Sequence, residues 1–251
     1  MNVLSHSNLP SRQKLLIVFG TRPEALKCFP VVRAALAHPG FITETCITGQ
    51  HREMVDQVIE LTGLPVHHDL NIMQPGQTLF DVTSRVLLGM AEVLEKAKPD
   101  IVLVQGDTTT AMTAALAAFY KRIPVAHIEA GLRSHDINSP FPEELNRKIA
   151  GDIATWHFAP TIQARDNLIA EGKAASSLGK PVLVMRENTE RPEGIAAGTA
   201  RLVGTDIQKI LLNANSLLDD QAAYRGMAER HNPYGDGRAS DRIVEELLHH
   251  G

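Results

Sequence analysis

Short apolar runs rich in β-branched and aromatic residues recur through the first two thirds of the chain, separated by longer segments whose apolar positions return every three to four residues. The runs predict strands at Lys14–Gly20, Thr43–Gly49, Asp100–Gln105, Pro124–Glu129 and Thr155–Ala159. The longer segments predict helices near Pro23–Ala37, Arg52–Leu61, Gln77–Ala97, Thr108–Lys121, Pro142–Ala154 and Thr161–Glu171. Strands alternating with helices make βαβ units, so the class is α/β with a doubly wound parallel sheet, helices lying on both faces. Residues 1–173 read as one complete domain of this Rossmann-like kind.

Beyond that point the pattern thins. One buried-type strand is predicted at Lys180–Arg186 and a short second at Arg201–Val203, followed by helices near Asp206–Leu217, Asp220–Arg230 and Ala239–His249. Two strands cannot make a second doubly wound half, so residues 174–251 read as a truncated second lobe, reached through the small, polar, linker-like segment Glu171–Ser177. A length of 251 residues agrees with one whole domain and part of another.

Composition narrows the partners. Lys plus Arg number 25 against 29 Asp plus Glu, a formal charge of -4, which lacks the basic excess needed to hold a phosphate backbone and argues against nucleic acid. The longest clean aliphatic run, Leu15–Phe19, is far too short for a membrane span. The first residues carry no signal-peptide pattern and only Cys28 and Cys46 are present, so a reducing cytoplasm is expected.

Ligands of open parallel sheets bind beyond the carboxyl ends of the strands, where helix N-termini offer free N–H groups. The first strand leaves into Gly20-Thr21-Arg22-Pro23-Glu24, in which Thr21 and Glu24 have capping-box spacing and Pro23 suits the start of a helix. Arg22 either faces water or holds an anion; Lys27 either reaches the same helix end or lies outside it. Asp107, before a threonine run, has the sequence of an N-cap for the Thr108 helix, and a cap can also serve as a catalyst. Glu129 ends an apolar strand and is followed by Ala-Gly, which places its carboxylate in a partly buried cleft where its pKa would rise. Glu143 and Arg147 have the spacing of a surface helix ion pair, with Leu145, Ile149 and Ile153 as that helix's core stripe. Scattered histidines with no Cys or His cluster give no metal site. The strand exits carry no Gly-x-Ser-x-Gly, Walker A or Gly-x-Gly-x-x-Gly, against serine hydrolases, P-loop NTPases and dinucleotide oxidoreductases.

Seven strings occur in order: Phe-Gly-Thr-Arg-Pro-Glu-Ala at 19–25, Gln-His-Arg-Glu-Met at 50–54, Gly-Asp-Thr-Thr-Thr at 106–110, His-Ile-Glu-Ala-Gly-Leu-Arg at 127–133, Pro-Glu-Glu at 142–144, Ser-Leu-Gly-Lys-Pro-Val-Leu-Val-Met-Arg at 177–186 and Asn-Pro-Tyr-Gly-Asp-Gly at 232–237. Together they closely resemble the non-hydrolysing UDP-N-acetylglucosamine 2-epimerases. The resemblance implies a two-lobed GT-B-like fold and interconversion of UDP-N-acetylglucosamine and UDP-N-acetylmannosamine with no metal or nicotinamide cofactor. UDP would leave across carbons 1 and 2 to give a bound glycal, then add back after carbon 2 is reprotonated from the other face. By family motif, Asp107, Glu129 and Glu143 are the acid/base carboxylates, Lys27 and Arg147 supporting cations, and Arg22 and Arg191 UDP ligands. Gln50 and Glu53 fall in the string that holds a second, activating sugar nucleotide in bacterial members. A homodimer is also implied.

The chain departs from the family in one respect. The Gly-His-Arg-Arg-Glu and Asp-Ser-Gly-Gly-x-Gln-Glu-Glu strings of the second lobe are absent, and residues 173–177 join what the family separates by on the order of a hundred residues. Much of the leaving-group cradle goes with them. Two alternatives to epimerisation therefore stand: a glycosyltransferase of the same two-lobed fold, or a non-catalytic regulatory subunit.

Overall fold

The computed structural model of the protein describes residues 12–173, 176–177 and 238–250. Seven parallel strands, β1 (Gln13–Phe19), β2 (Phe41–Ile47), β3 (His68–Asp69), β4 (Ile101–Gln105), β5 (Val125–Ile128), β6 (Trp156–Ala159) and β7 (Ser176–Ser177), lie in the order β3-β2-β1-β4-β5-β6-β7. The order reverses between β1 and β4, so the crevice for a ligand opens beyond the carboxyl ends of those two strands.

Strand periodicity divides the core. Leu15, Ile17 and Phe19 of β1 face one layer, made by α1 (Arg22–Ala37), α2 (Arg52–Thr62) and α7 (Ala239–His250). Leu16 and Val18 face the other, made by α3 (Leu79–Ala97) and α4 (Thr109–Tyr120). Both faces of the sheet are covered, which is why its strands read as unbroken apolar runs. The final helix is a full member of this core: Ile243, Val244 and Leu247 are buried with Val31, Val32 and Ala35 of α1. The layers are completed by α5 (Glu143–Ile153) and α6 (Ile162–Ala170). Among the described residues no helix is long and apolar enough to cross a membrane.

The five longer strands and seven helices fall where periodicity puts them, apart from end residues. Three local expectations change. β3 has no predictable pattern because it is two residues long. Ser176 and Ser177, read as linker, pair with Phe158 and Ala159 as an edge strand, joined through backbone groups that leave no apolar signature. In α5 the inward residues are Glu144, Asn146, Arg147, Ala150 and Gly151, while Leu145 is exposed. The helix is turned from its expected phase because its inner face meets polar groups. The strands predicted at 180–186 and 201–203 and the helices at 206–217 and 220–230 lie outside the described residues.

Two buried features hold the β5 exit. Gly131 has φ +87°, and a β-carbon there would stand 2.1 Å from the carbonyl oxygen of Ala164. The fully buried His127 donates from Nε2 to the Gly106 carbonyl at 2.7 Å, while its Nδ1 has no partner among the described residues. Burial pushes the imidazole pKa down from 6.5 to about 4.

Gly131→Ala is expected to lose about 2 kcal/mol or more in urea unfolding, because the residue must move both its own backbone and that of α6. The unfolded chain takes up a proton at His127 near pH 6.5 and the folded chain only near pH 4. Stability is therefore expected to fall by up to about 3 kcal/mol as pH drops across that window. In His127→Gln the part of the pH 7 to pH 4.5 stability difference due to this group should vanish.

Candidate active site at the sheet switch point

The loops leaving β1 and β4 are bolted together by one carboxylate. Glu24, 2% exposed in the first turn of α1, accepts from the backbone N–H of Gly20 at 2.8 Å and of Thr21 at 2.7 Å. Its other oxygen accepts from the Thr108 hydroxyl, across the crevice. Burial pushes its pKa up, and these donors pull it back. The expected Thr21–Glu24 box is thus present and does more than cap a helix. Gly20 lets the loops approach: a β-carbon there would lie 2.1 Å from Thr48 Oγ1 and 2.5 Å from Thr110 Oγ1.

Asp107 stands at the β4 exit but does not cap α4. Thr108 does so, its hydroxyl accepting from the Ala111 N–H at 3.0 Å. The Asp107 carboxylate instead receives Arg147 of α5, with Nε at 2.9 Å and Nη2 at 2.7 Å from the same oxygen, Oδ2. Asn146 adds a hydrogen bond to the Asp107 carbonyl at 2.9 Å. Burial pushes the Asp107 pKa up; Arg147 opposes that.

Glu129 leaves β5 in the left-handed region, φ +65°, an uncommon state for a side chain of this kind and a frequent mark of a functional site. Its carboxylate, 12% exposed, accepts from Lys27 of α1 and from the Gln105 side chain at the end of β4. Lys27 thereby joins the site, settling between its two expected positions. Asp107 and Glu129 are close enough to influence each other's charge, and Glu129 Oε2 would lie 4.0 Å from a β-carbon on Gly106.

Glu143, at the start of α5, is half-buried and makes no side-chain hydrogen bond or ion pair among the described residues. The expected Glu143–Arg147 pair is replaced by Glu144–Arg147 at 3.0 Å, because Arg147 points inward with Glu144. Arg22 is exposed, likewise without an ion pair among the described residues, and with Lys27, Pro23, Leu26, His51 and Met54 lines a cleft of about 630 Å³. Gln50 accepts from the Thr110 hydroxyl at 2.8 Å, while Glu53 is exposed on the first turn of α2. Arg191 lies outside the described residues.

The residues missed in the sequence are Glu24 as a cross-loop bolt, Gln105 as a donor to Glu129, and Glu144 with Asn146. For Glu144 a signal existed: it stands three residues before Arg147, as good a helical spacing as the four of Glu143. Nothing local marks the other contacts, whose partners are remote in sequence.

The family profile described as UDP-N-acetylglucosamine 2-epimerase matches residues 33–177 and 173–248. The UDP-N-acetylglucosamine 2-epimerase of Escherichia coli K12 is 36% identical over 368 aligned residues, spanning 93% of this chain and 98% of that one. That span exceeds the 251 residues of the chain, so part of the relative faces a gap, and the two profile matches meet at 173–177. A crystal structure of a UDP-N-acetylglucosamine 2-epimerase aligns with TM-score 0.81 at 35% identity, covering 96% of this chain and 97% of that one. The Neisseria meningitidis enzyme, solved bound to UDP-GlcNAc, aligns with TM-score 0.78 at 32% identity, covering 94% and 100%. With its exit-loop carboxylates in place and matches of this extent, the chain belongs to the UDP-N-acetylglucosamine 2-epimerase family.

Proposed function

We propose that this chain acts on UDP-N-acetylglucosamine as a 2-epimerase, interconverting it with UDP-N-acetylmannosamine by elimination and re-addition of UDP. The observation that carries the reading is the gathering of Asp107 and Glu129, each on its own cation, at the rim where the strand order reverses. Epimerisation at carbon 2 needs one group to remove a proton and one to return it from the opposite face. Glu129 accepts hydrogen bonds from Lys27 and Gln105 and so presents the acceptor form a base requires. Asp107, whose pKa burial raises, is suited to hold a proton. Glu143, at the head of α5 and without a side-chain ion pair among the described residues, is the third carboxylate of the set. Arg22 and Lys27, on the wall of one cleft, supply positive charge for a diphosphate, with Arg191 assigned the same role by motif. Gln50 and Glu53 are assigned to an activating second nucleotide. The same reading carries a homodimer in the cytoplasm.

One observation favours a second reading. The aligned relative is longer than this chain and the profile match breaks at 173–177, so residues that stabilise a leaving UDP in the relatives can be among those lacking here. A chain that binds the sugar nucleotide without releasing UDP would be a regulatory subunit.

Incubation with UDP-N-acetylglucosamine in deuterated water separates the two. Deuterium at carbon 2 and appearance of the mannosamine epimer are the expected results, observed by proton NMR and chromatography. Asp107→Asn and Glu129→Gln are each expected to slow deuterium incorporation by about 100-fold or more. Binding by calorimetry without exchange or released UDP would replace the epimerase reading with the regulatory one.

A further inference from the structure

Arg147 is held by two carboxylates, of which Asp107 is 29% exposed and Glu144 fully buried. The Arg147 side chain is 5% exposed; Nε and Nη2 hold Oδ2 of Asp107, and Nη1 is 3.0 Å from Oε2 of Glu144. Glu144 is 0% exposed, and the same Oε2 accepts from the backbone N–H of Ser134 at 3.1 Å, in the loop after β5. Its Oε1 is buried with no partner among the described residues. A buried carboxylate left half satisfied is a poor stabilising device, since apolar residues of similar size would pack there at lower cost. Its position asks for another reason.

We propose that Glu144 is a positioning residue for Asp107: it fixes the Arg147 guanidinium so that Asp107 is held by Oδ2 alone, and its charge balances the guanidinium so that Asp107 can take up a proton. Two features carry this. Anchored at Ser134 and at the guanidinium, Glu144 fixes the plane from which Nε and Nη2 reach a single oxygen, leaving Asp107 Oδ1 without a protein donor among the described residues. A lone buried arginine on an aspartate would hold it ionised; the Glu144–Arg147 pair is neutral as a unit. Two further charges act on Asp107: Glu129 from the β5 exit raises its pKa and Lys27 from α1 lowers it, and the two bond to each other. Glu143, on the preceding residue of α5, makes no ion pair among the described residues. Glu144 is thus the carboxylate that shares the Arg147 guanidinium with Asp107.

The importance of this arrangement rests on Asp107 serving as a proton-transfer group, but its test does not need turnover. Carbon-13-detected NMR of the full chain, labelled at aspartate carboxyls and assigned with Asp107→Asn, gives the midpoint at which Asp107 titrates. Glu144→Gln and Glu144→Met, which remove the charge, are each expected to lower that midpoint by at least one pH unit, a tenfold loss of protonated Asp107 at a given pH. Glu144→Asp, which keeps the charge, should leave it near the wild-type value. A folded Gln or Met chain with an unmoved midpoint overturns the proposal. So does loss of the fold in both, which would make Glu144 a structural residue only. A shifted midpoint in a chain that never exchanges carbon 2 leaves this inference standing and removes the epimerase reading, so the two fail separately.

Discussion

The whole site depends on a carboxylate that never meets the cleft. Glu24 takes the free N–H groups where β1 ends and reaches the Thr108 hydroxyl where β4 ends, so two loops that share no sequence neighbourhood become one rigid rim. Helix N-termini leave donors unsatisfied, and a buried one must find acceptors. Here a single acidic side chain meets that need for the first helix and ties it to the fourth strand. Arg22 and Lys27 on one side of the crevice and Asp107 on the other owe their relative placement to it.

From that rim the chemistry is built in pairs. Lys27 faces Glu129 and Arg147 faces Asp107, so each carboxylate has a cation beside it while burial works in the opposite sense on Asp107. At Asp107 burial outweighs the pull of Arg147, so its pKa stands above the ordinary carboxylate value. The left-handed backbone at Glu129 is the cost of aiming its carboxylate back across the β4 end, where Gln105 and Lys27 receive it.

Helix α5 shows where pattern reading and packing part company. Leu145, Ile149 and Ile153 make a plausible apolar stripe, yet the buried face carries Glu144, Asn146 and Arg147. The contacts that turn the helix lie at Asp107 and Ser134, whose loops offer a carbonyl, a carboxylate and an N–H to be satisfied. A hydrophobic count along one segment contains no information about polar groups presented by another. The return of α7 to the first helix is similar: its amphipathic period was legible, but which surface would receive Ile243 and Leu247 was not.

The amino-acid order alone settled the alternation of strands and helices, the parallel sheet and the strand exits where charged residues collect, because these follow from short-range periodicity and from turn and cap chemistry. Only the tertiary structure decided which charges meet. Lys27 and Glu129 stand 102 positions apart and Asp107 and Arg147 stand 40 apart, and no local rule selects such partners. Ion pairs form where desolvation and geometry permit, and both are set by the way separate helices and strands close over the same crevice.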